Sequence, residues 1–310
     1  MNGNRIPALL TVLAPTVWGS TYLVTTELLP PDRPLLAATV RALPAGLVLV
    51  AIGGVLPRGA WWWRILALGT LNIGLFFYLL FVAAYHLPGG VAALVGSIQP
   101  MLVLLLSALL LKDRIRSIHV VSCLLGGLGV ALLVLKPDAA LNTIGVLAGL
   151  AGALSMAAGI VLNKRWARPS DVSILTFTGW QLTVGGLILL PILLATEGLP
   201  DRISSTNLMG FAYLSVVGSL AAYAVWFWGI ERLPALAVSF LGFASPLAAT
   251  GLGYLVLNQQ LSPPQAVGAL AVVAAVILAQ QRPKRRSSQE SPSKNQTSED
   301  VAKEPVSRNT

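Results

Sequence analysis

Charged residues are scarce in this chain. Only 11% of its 310 residues are Asp, Glu, Lys or Arg, whereas 55% are hydrophobic. A soluble domain carries about 25% charged residues, so this chain has too few to cover a surface that faces water. The composition therefore excludes a soluble fold and indicates an integral membrane protein. The net charge of +9 does not indicate nucleic-acid binding, because the basic residues lie in short clusters between apolar segments and in the C-terminal tail.

Cysteine and histidine are almost absent as well. Cys123 is the single cysteine, which excludes an intrachain disulfide, and it lies in an apolar run as a small packing residue. The two histidines, His86 and His119, fall at opposite membrane faces in the topology given below, so they do not share a metal. The sequence has no phosphate loop, nucleophile elbow or Cys/His cluster. It predicts no enzyme activity, no catalytic residue, no metal site and no cofactor, and no cleavable signal peptide is expected.

Long apolar runs fill most of the chain. A helix of about 20 apolar residues crosses the hydrocarbon core of a bilayer, and helix is the form that pairs its own backbone groups there. With breakers and charges taken as boundaries, the predicted spans are 8–28, 35–56, 64–85, 88–111, 118–135, 142–162, 172–195, 207–230, 235–257 and 263–281. Residues 283–310 are polar and predict a disordered cytoplasmic tail.

The distribution of Lys and Arg predicts the orientation. With the N-terminus in the cytoplasm, seventeen basic residues fall on the cytoplasmic side and three, Arg33, Lys136 and Arg202, on the outer side. The cytoplasmic set is Arg5, Arg58, Arg64, Lys112, Arg114, Arg116, Lys164, Arg165, Arg168, Arg232, Arg282, Lys284, Arg285, Arg286, Lys294, Lys303 and Arg308. We therefore expect a multi-pass protein of the inner membrane with both termini in the cytoplasm.

The two halves of the chain resemble each other. A shift of 146 residues brings Leu87-Pro88 onto Leu233-Pro234 and Pro100 onto Pro246, and a shift of 140 brings Arg41 onto Gln181 and Gly46 onto Gly186. Because each half holds five spans, two tandem copies enter the membrane in opposite senses. The predicted fold is all-α, with ten transmembrane helices in two inverted five-helix repeats, 1–140 and 141–282. Chance similarity between apolar segments is the alternative. Inverted repeats are common in transporters.

The motif Trp18-Gly19-Ser20-Thr21-Tyr22 resembles the signature of the EamA family in the drug/metabolite transporter superfamily. The similarity covers about residues 8–281, and residues 14–22 with 27–31 look closest to the PecM-like branch. The resemblance implies efflux of small organic metabolites: amino-acid-like, pigment-related or drug-like compounds. Family members commonly carry Gly-Glu where this chain has Lys112-Asp113 and Asn258-Gln259. Both places lie at helix ends, where we expect capping or interfacial roles.

Arg41 is the most unusual residue, since a charge within a span costs about 3 kcal/mol near the centre. It either pairs within the protein or snorkels outward from its place about six residues inside the outer end of the span, or it faces a cavity and binds a substrate carboxylate. Other candidate substrate-binding residues are mid-span aromatic and amide side chains, some of which are alternatively interfacial. They are Trp18, Tyr22, Asn72, Tyr78, Gln99, Gln181, Tyr223 and Trp226, with Trp180 and Trp228 in the same class. Pro100 and Pro246 are candidate hinges, with a static kink as the alternative.

These features predict a carrier for a small organic metabolite, working as a monomer or homodimer in the lipid bilayer. No span centre holds Asp or Glu, which favours a facilitator or exchanger over strict proton antiport. The alternative is a membrane sensor or regulator that binds a metabolite without transporting it. The repeat favours the carrier, because a sensor needs no two-sided symmetry.

Overall fold

The computed structural model describes residues 5–87, 89–134, 142–256 and 262–279, and every regular element in these ranges is a helix. Within them, eight helical stretches are long and apolar enough to cross a membrane. They are Ile6–Leu28, Pro34–Gly53, Trp61–His86, Val91–Leu110, Thr143–Trp166, Ile174–Thr196, Ser205–Arg232 and Ala235–Leu252. Two further apolar helices, Ser117–Leu132 and Pro263–Ala279, are shorter. The prediction of an all-α membrane protein is confirmed, and the predicted count of ten spans stays a prediction.

Several predicted features fall partly or wholly outside the described ranges. They are Pro88, the connection containing Lys136, residue 257 at the end of the ninth predicted span, Asn258-Gln259 and the tail 283–310.

Five of the ten predicted spans are built from more than one helix. The first half contains α1 (Arg5–Thr11), α2 (Leu13–Trp18), α3 (Thr21–Leu28), α4 (Pro34–Gly53), α5 (Trp61–Gly69), π1 (Thr70–Gly74), α6 (Leu75–His86), α7 (Gly89–Gly96), α8 (Gln99–Leu110) and α9 (Ser117–Val134). The second half contains α10 (Thr143–Trp166), α11 (Ile174–Thr196), α12 (Ser205–Ser215), π2 (Val216–Ala221), α13 (Ala222–Arg232), α14 (Ala235–Leu241), α15 (Ala244–Val256) and α16 (Pro263–Ala279).

The two π-helices occupy matching places. Each lies in the middle of a long helical stretch, and π2 begins 146 residues after π1. A π-helix widens one turn and frees carbonyl groups from the regular ladder, and such turns are frequent at functional sites. The same offset of 146 residues relates Pro100 and Pro246, which the sequence comparison matched.

The two candidate hinge prolines follow breaks in their helices. Ser97 and Ile98 separate α7 from α8, and Pro100 lies in the first turn of α8, where a missing backbone donor costs little. Gly242 and Phe243 separate α14 from α15, and Pro246 follows in α15. The breaks are present in both halves, and whether they act as hinges stays a prediction.

Helix α4 packs closely against α11. A Cβ atom built at Gly46 would lie 2.8 Å from the backbone carbon of Leu182, and one built at Gly186 would lie 2.8 Å from the Cα of Leu43. Small residues let membrane helices approach this closely. The contacts are reciprocal, since each glycine of the matched pair faces the other helix. Helices α9 and α16 form a second pair.

The N-terminus of α4 is held by an acid from the other half of the chain. Glu197, just after α11, accepts hydrogen bonds from the backbone N–H groups of Leu35 at 2.6 Å and Leu36 at 2.9 Å. A carboxylate at a helix N-terminus satisfies donors that have no partner inside the helix and complements its dipole. Arg33 donates to the carbonyl oxygens of Glu197 and Gly198, which fixes this connection further.

Lys112, for which a capping or interfacial role is predicted, has an unusual backbone conformation. Lys112 follows α8 with φ at 58°, in the left-handed region that glycine adopts without a steric penalty. The amide of Asp113 then donates to the carbonyl of Ser107, which closes the end of the helix. A glycine would adopt this conformation without the strain that a side chain introduces.

Candidate substrate-binding site

A cavity of about 130 Å³ lies among helices from both halves of the chain. A single water needs only about 10–15 Å³, so this space holds a small organic molecule. Its lining residues are Pro15, Trp18, Thr21, Tyr22, Arg41, Phe76, Leu80, Ala83, Ala92, Ala93, Gly96, Ser97, Gln99, Pro100, Gly149, Gly152, Ala153, Met156, Trp226, Ser239, Gly242, Phe243, Ser245 and Pro246. The walls are mostly aromatic and aliphatic with a few hydroxyl groups, which is typical of a site for an organic ligand.

Seven of the residues singled out from the sequence line this cavity. Five are candidate binding residues: Trp18, Tyr22, Arg41, Gln99 and Trp226. The two candidate hinge residues, Pro100 and Pro246, also line it, so both helix breaks border the same space. The breaks bring the N-terminal ends of α8 and α15 to the cavity wall.

Arg41 lies at the cavity with almost no exposure to solvent. Its side chain is 1% exposed, which excludes the snorkelling alternative. Its Nε donates to Ser219 Oγ and its Nη2 to the carbonyl of Gly218, both at a long 3.3 Å, and the guanidinium stacks 4.5 Å from the Phe77 ring centroid. Nη1 has no hydrogen-bond partner. Among the described residues, no carboxylate forms an ion pair with Arg41.

The aromatic wall is organised around Trp18. Its indole N–H donates to the carbonyl of Gly218, which lies in π2, at 2.9 Å. The Trp18 ring packs 4.8 Å from Tyr223 and 5.1 Å from Trp226. Tyr223 is fully buried behind this wall and packs on Phe77, so it supports the cavity and does not line it.

Asn72 and Gln181 lie away from the cavity and bind each other. Asn72 Nδ2 donates to Gln181 Oε1 at 2.8 Å, and Gln181 Nε2 donates to Asn163 Oδ1 at 3.4 Å. Both Asn72 and Gln181 are fully buried. The contact joins π1 to α11. Buried amides of this kind stabilise a helix interface because the alternative is an unpaired polar group.

The remaining predicted aromatic residues also lie outside the cavity lining. Tyr78 is partly buried and packs against the cores around α6. Trp180 is buried, and its indole N–H donates to the carbonyl of Val55 at 2.8 Å. Trp228 stacks with Arg232, whose guanidinium carbon lies 4.2 Å from the ring centroid.

Sequence reasoning missed several polar and aromatic lining residues. Ser97, Ser239 and Ser245 lie at or beside the two helix breaks, and Phe76 and Phe243 add aromatic surface. The matched breaks were a signal for the serines, since a side chain beside a break in a membrane helix faces protein or a cavity more often than lipid. Gly149 and Gly152 also line the cavity.

A second cavity of about 390 Å³ lies at the ends of α10 and α13. Lys164 Nζ donates to the carbonyls of Ile230 and Glu231, both at 3.0 Å, and Arg168 forms an ion pair with Glu231. These contacts tie the last turns of the two helices together. No three His, Cys, Asp or Glu residues cluster as a metal site in the described part of the chain.

Comparison with known proteins identifies the family. The sequence model of the EamA-like transporter family matches residues 5–135 and 143–280. The chain belongs to this family. It is 52% identical to Protein PecM of Dickeya dadantii over 86% of this chain and 90% of that protein, which confirms the PecM-like branch. It is also similar to the uncharacterized transporter sll0355 of Synechocystis, at 31% identity over 88% and 89% of the two chains.

A third relative and one solved structure are also similar to the chain. The uncharacterized inner membrane transporter YedA of Escherichia coli is 28% identical over 84% of this chain and 86% of that protein. A solved crystal structure matches with a TM-score of 0.73 at 22% identity, covering 89% of this chain and 97% of that one, which shows a shared fold. This EamA-like chain is therefore a multi-pass membrane transporter and not an enzyme.

Proposed function

We propose that this protein is an inner-membrane carrier that exports a small organic metabolite by alternating access. The proposed substrates are amino-acid-like, pigment-related or drug-like compounds. The observation that supports this best is the cavity itself, which is lined by helices from both halves and bordered by both helix breaks. A cavity between two similar halves opens to either side when one half moves against the other.

The proposed architecture is ten transmembrane helices in two inverted repeats, 1–140 and 141–282. Three pairs of features support it: the π-helices at one offset, the helix breaks before Pro100 and Pro246, and the reciprocal contacts of Gly46 and Gly186. In this architecture α9 and α16, which are shorter than the other spans, are the fifth and tenth crossings.

The proposed orientation places both termini in the cytoplasm, on the basis of the Lys and Arg distribution. Two exposed sites test it, after the single native cysteine has been removed as Cys123→Ser. Arg58→Cys lies in a predicted cytoplasmic connection and Asp201→Cys in a predicted outer one. A membrane-impermeant maleimide added to intact cells should label only Asp201→Cys, and labelling of only Arg58→Cys would reverse the orientation.

Export is tested by blocking the cavity. Gly96 lines the cavity, and a Cβ added there meets nothing within 4 Å, so the bulky side chain of Gly96→Phe starts without a clash and should occupy cavity space. Gly127 also has open space within 4 Å but lies outside the lining, which makes Gly127→Phe the matched control.

Metabolites inside and outside cells are then compared for deletion, wild type and both variants. Cells with wild type or Gly127→Phe should release a compound that deletion and Gly96→Phe cells retain. Equal metabolite profiles for all four, with normal expression, would contradict a carrier.

We further propose that the carrier works as a facilitator or exchanger. The lining residues include no Asp or Glu among those that the structure describes, so the cavity wall offers no carboxylate to carry a proton. Transport into liposomes should therefore persist when only the pH gradient is removed. Collapse of transport under that condition would establish proton coupling instead.

A further inference from the structure

The two halves differ at one matched polar contact. In the first half, π1 presents Asn72, whose amide donates to Gln181 of α11. In the second half, the residue 146 positions later is Gly218, which has no side chain, and it faces Arg41 of α4. Arg41 and Gln181 are themselves the matched pair at an offset of 140 residues. Gln181, the counterpart of Arg41, therefore has an amide partner in Asn72. Arg41 itself has only a backbone carbonyl and a serine hydroxyl as hydrogen-bond partners.

Because Gly218 has no side chain, π2 supplies no counter-ion for the charge on Arg41. The guanidinium is 1% exposed, its two hydrogen bonds are 3.3 Å long, and Nη1 has no partner. Burial of a cation without a nearby anion is costly, and an incoming anion relieves that cost while gaining strong hydrogen bonds. The Gln181 contact, by contrast, is neutral and lies outside the cavity lining.

The surroundings of Arg41 indicate what such an anion would be attached to. The lining near it is aromatic, with Trp18, Tyr22, Phe76 and Trp226. No Asp or Glu occurs in the lining within the described residues, so nothing there repels a negative charge. Flat apolar walls beside one cationic group suit a planar molecule that carries a single carboxylate.

We infer that the substrate of this carrier is an organic anion with a planar apolar body, and that Arg41 binds its carboxylate. The inference rests on the proposed carrier function and specifies the substrate class of the same cavity. The two long hydrogen bonds to π2 exchange for shorter, charge-assisted ones when the carboxylate arrives. The guanidinium thus couples the ligand to π2 and through the shared Gly218 carbonyl to Trp18.

Binding of two matched probes to the purified protein tests the inference. Phenylacetate and phenylacetamide have the same ring and nearly the same size, and only the first is charged. We expect wild type to bind phenylacetate at least about tenfold more tightly, as judged by calorimetry. Arg41→Gln should remove that preference while changing the affinity for phenylacetamide by less than about twofold. The neutral probe thereby reports that the cavity is still folded.

A second variant keeps Arg41 in place. A Cβ at Gly218 would lie 3.7 Å from Arg41 Nη2 without a clash, so Gly218→Asp supplies an internal carboxylate to the guanidinium. It should also abolish the preference for phenylacetate. Arg168→Gln is the control, because Arg168 lines the second cavity and not the first. It should retain the wild-type preference.

Three outcomes would overturn the inference: equal affinity of wild type for the two probes, binding of neither, or retention of the preference for phenylacetate in Arg41→Gln. None of these outcomes contradicts the carrier proposal, which the release of metabolites from cells decides separately. Conversely, a clear preference that depends on Arg41, in a protein whose deletion changes no metabolite distribution, would support the anion site and refute the carrier.

Discussion

Replacing Gly46 with alanine tests whether the close approach of α4 and α11 holds the protein together. The new Cβ would lie 2.8 Å from the backbone carbon of Leu182 and 2.7 Å from Thr183 Oγ1, whereas ordinary contacts begin at 3.4 Å. The nearest atoms include backbone, which does not rotate away as a side chain does. The nearest atom is the backbone nitrogen of Thr183, and relieving that contact requires the two helices to separate locally by about 1 Å, which weakens neighbouring contacts along the interface.

The expected cost follows from two opposing effects. Overpacking at a buried position costs about 1–3 kcal/mol, and alanine in place of glycine within a helix gains about 1 kcal/mol. Gly127→Ala should show only the gain from replacing glycine within a helix, because a Cβ there meets nothing within 4 Å. The free energy of unfolding of Gly46→Ala should therefore fall about 1–3 kcal/mol below that of Gly127→Ala.

The measurement is unfolding of the purified protein in mixed micelles, followed by tryptophan fluorescence as denaturing detergent is added. Gly186→Ala should behave like Gly46→Ala, because its Cβ would lie 2.8 Å from the Cα of Leu43. Equal free energies of unfolding for Gly46→Ala and Gly127→Ala would refute the reasoning. A difference between Gly46→Ala and Gly186→Ala would leave the close approach standing but remove its two-fold character.

Three further predictions concern stability and use the same unfolding measurement. Gln181→Leu should lower the free energy of unfolding by about 1–2 kcal/mol because it leaves the buried Asn72 amide unpaired. Adding Asn72→Leu should recover part of that loss, and strictly additive effects of the two substitutions would contradict an interaction between the residues. Glu197→Ala should lower the free energy of unfolding by about 1–2 kcal/mol because two N–H groups at the N-terminus of α4 lose their acceptor. The control Glu27→Ala, at an exposed residue, should change it little. Lys112→Gly should stabilise by about 0.5–1 kcal/mol because φ is 58° there, and an unchanged or lower stability would count against strain at this residue.

The fold class was predictable because the bilayer leaves few choices. A segment without water must pair its own backbone groups, so hydropathy alone places most helices. The offsets between the two halves also matched Pro100 with Pro246 and Arg41 with Gln181 by sequence position. The π-helices carried no such signal, since most of their residues are ordinary small or apolar ones such as Leu71 and Val217.

The site was predictable only in part, for a physical reason. In a membrane helix the side facing lipid and the side facing protein are both apolar, so periodicity does not show which way a residue points. Trp226 lines the cavity, whereas Tyr223, one turn earlier in α13, supports the wall from behind. Asn72 looked equivalent to Gln99 in sequence, and only the packing of π1 against α11 separates them.

In the proposed architecture, the difference between the two halves gives two similar repeats one asymmetric site. Two copies of Arg41 would put a second buried cation in place of Gln181, with no described carboxylate nearby to balance either charge. Two copies of the amide contact would leave the cavity without a charged group. One half instead closes the matched contact with Asn72 and Gln181, which joins π1 firmly to α11. The other half has no side chain at Gly218, and there the matched position lines the cavity as Arg41, which is the ligand-binding group in our proposal.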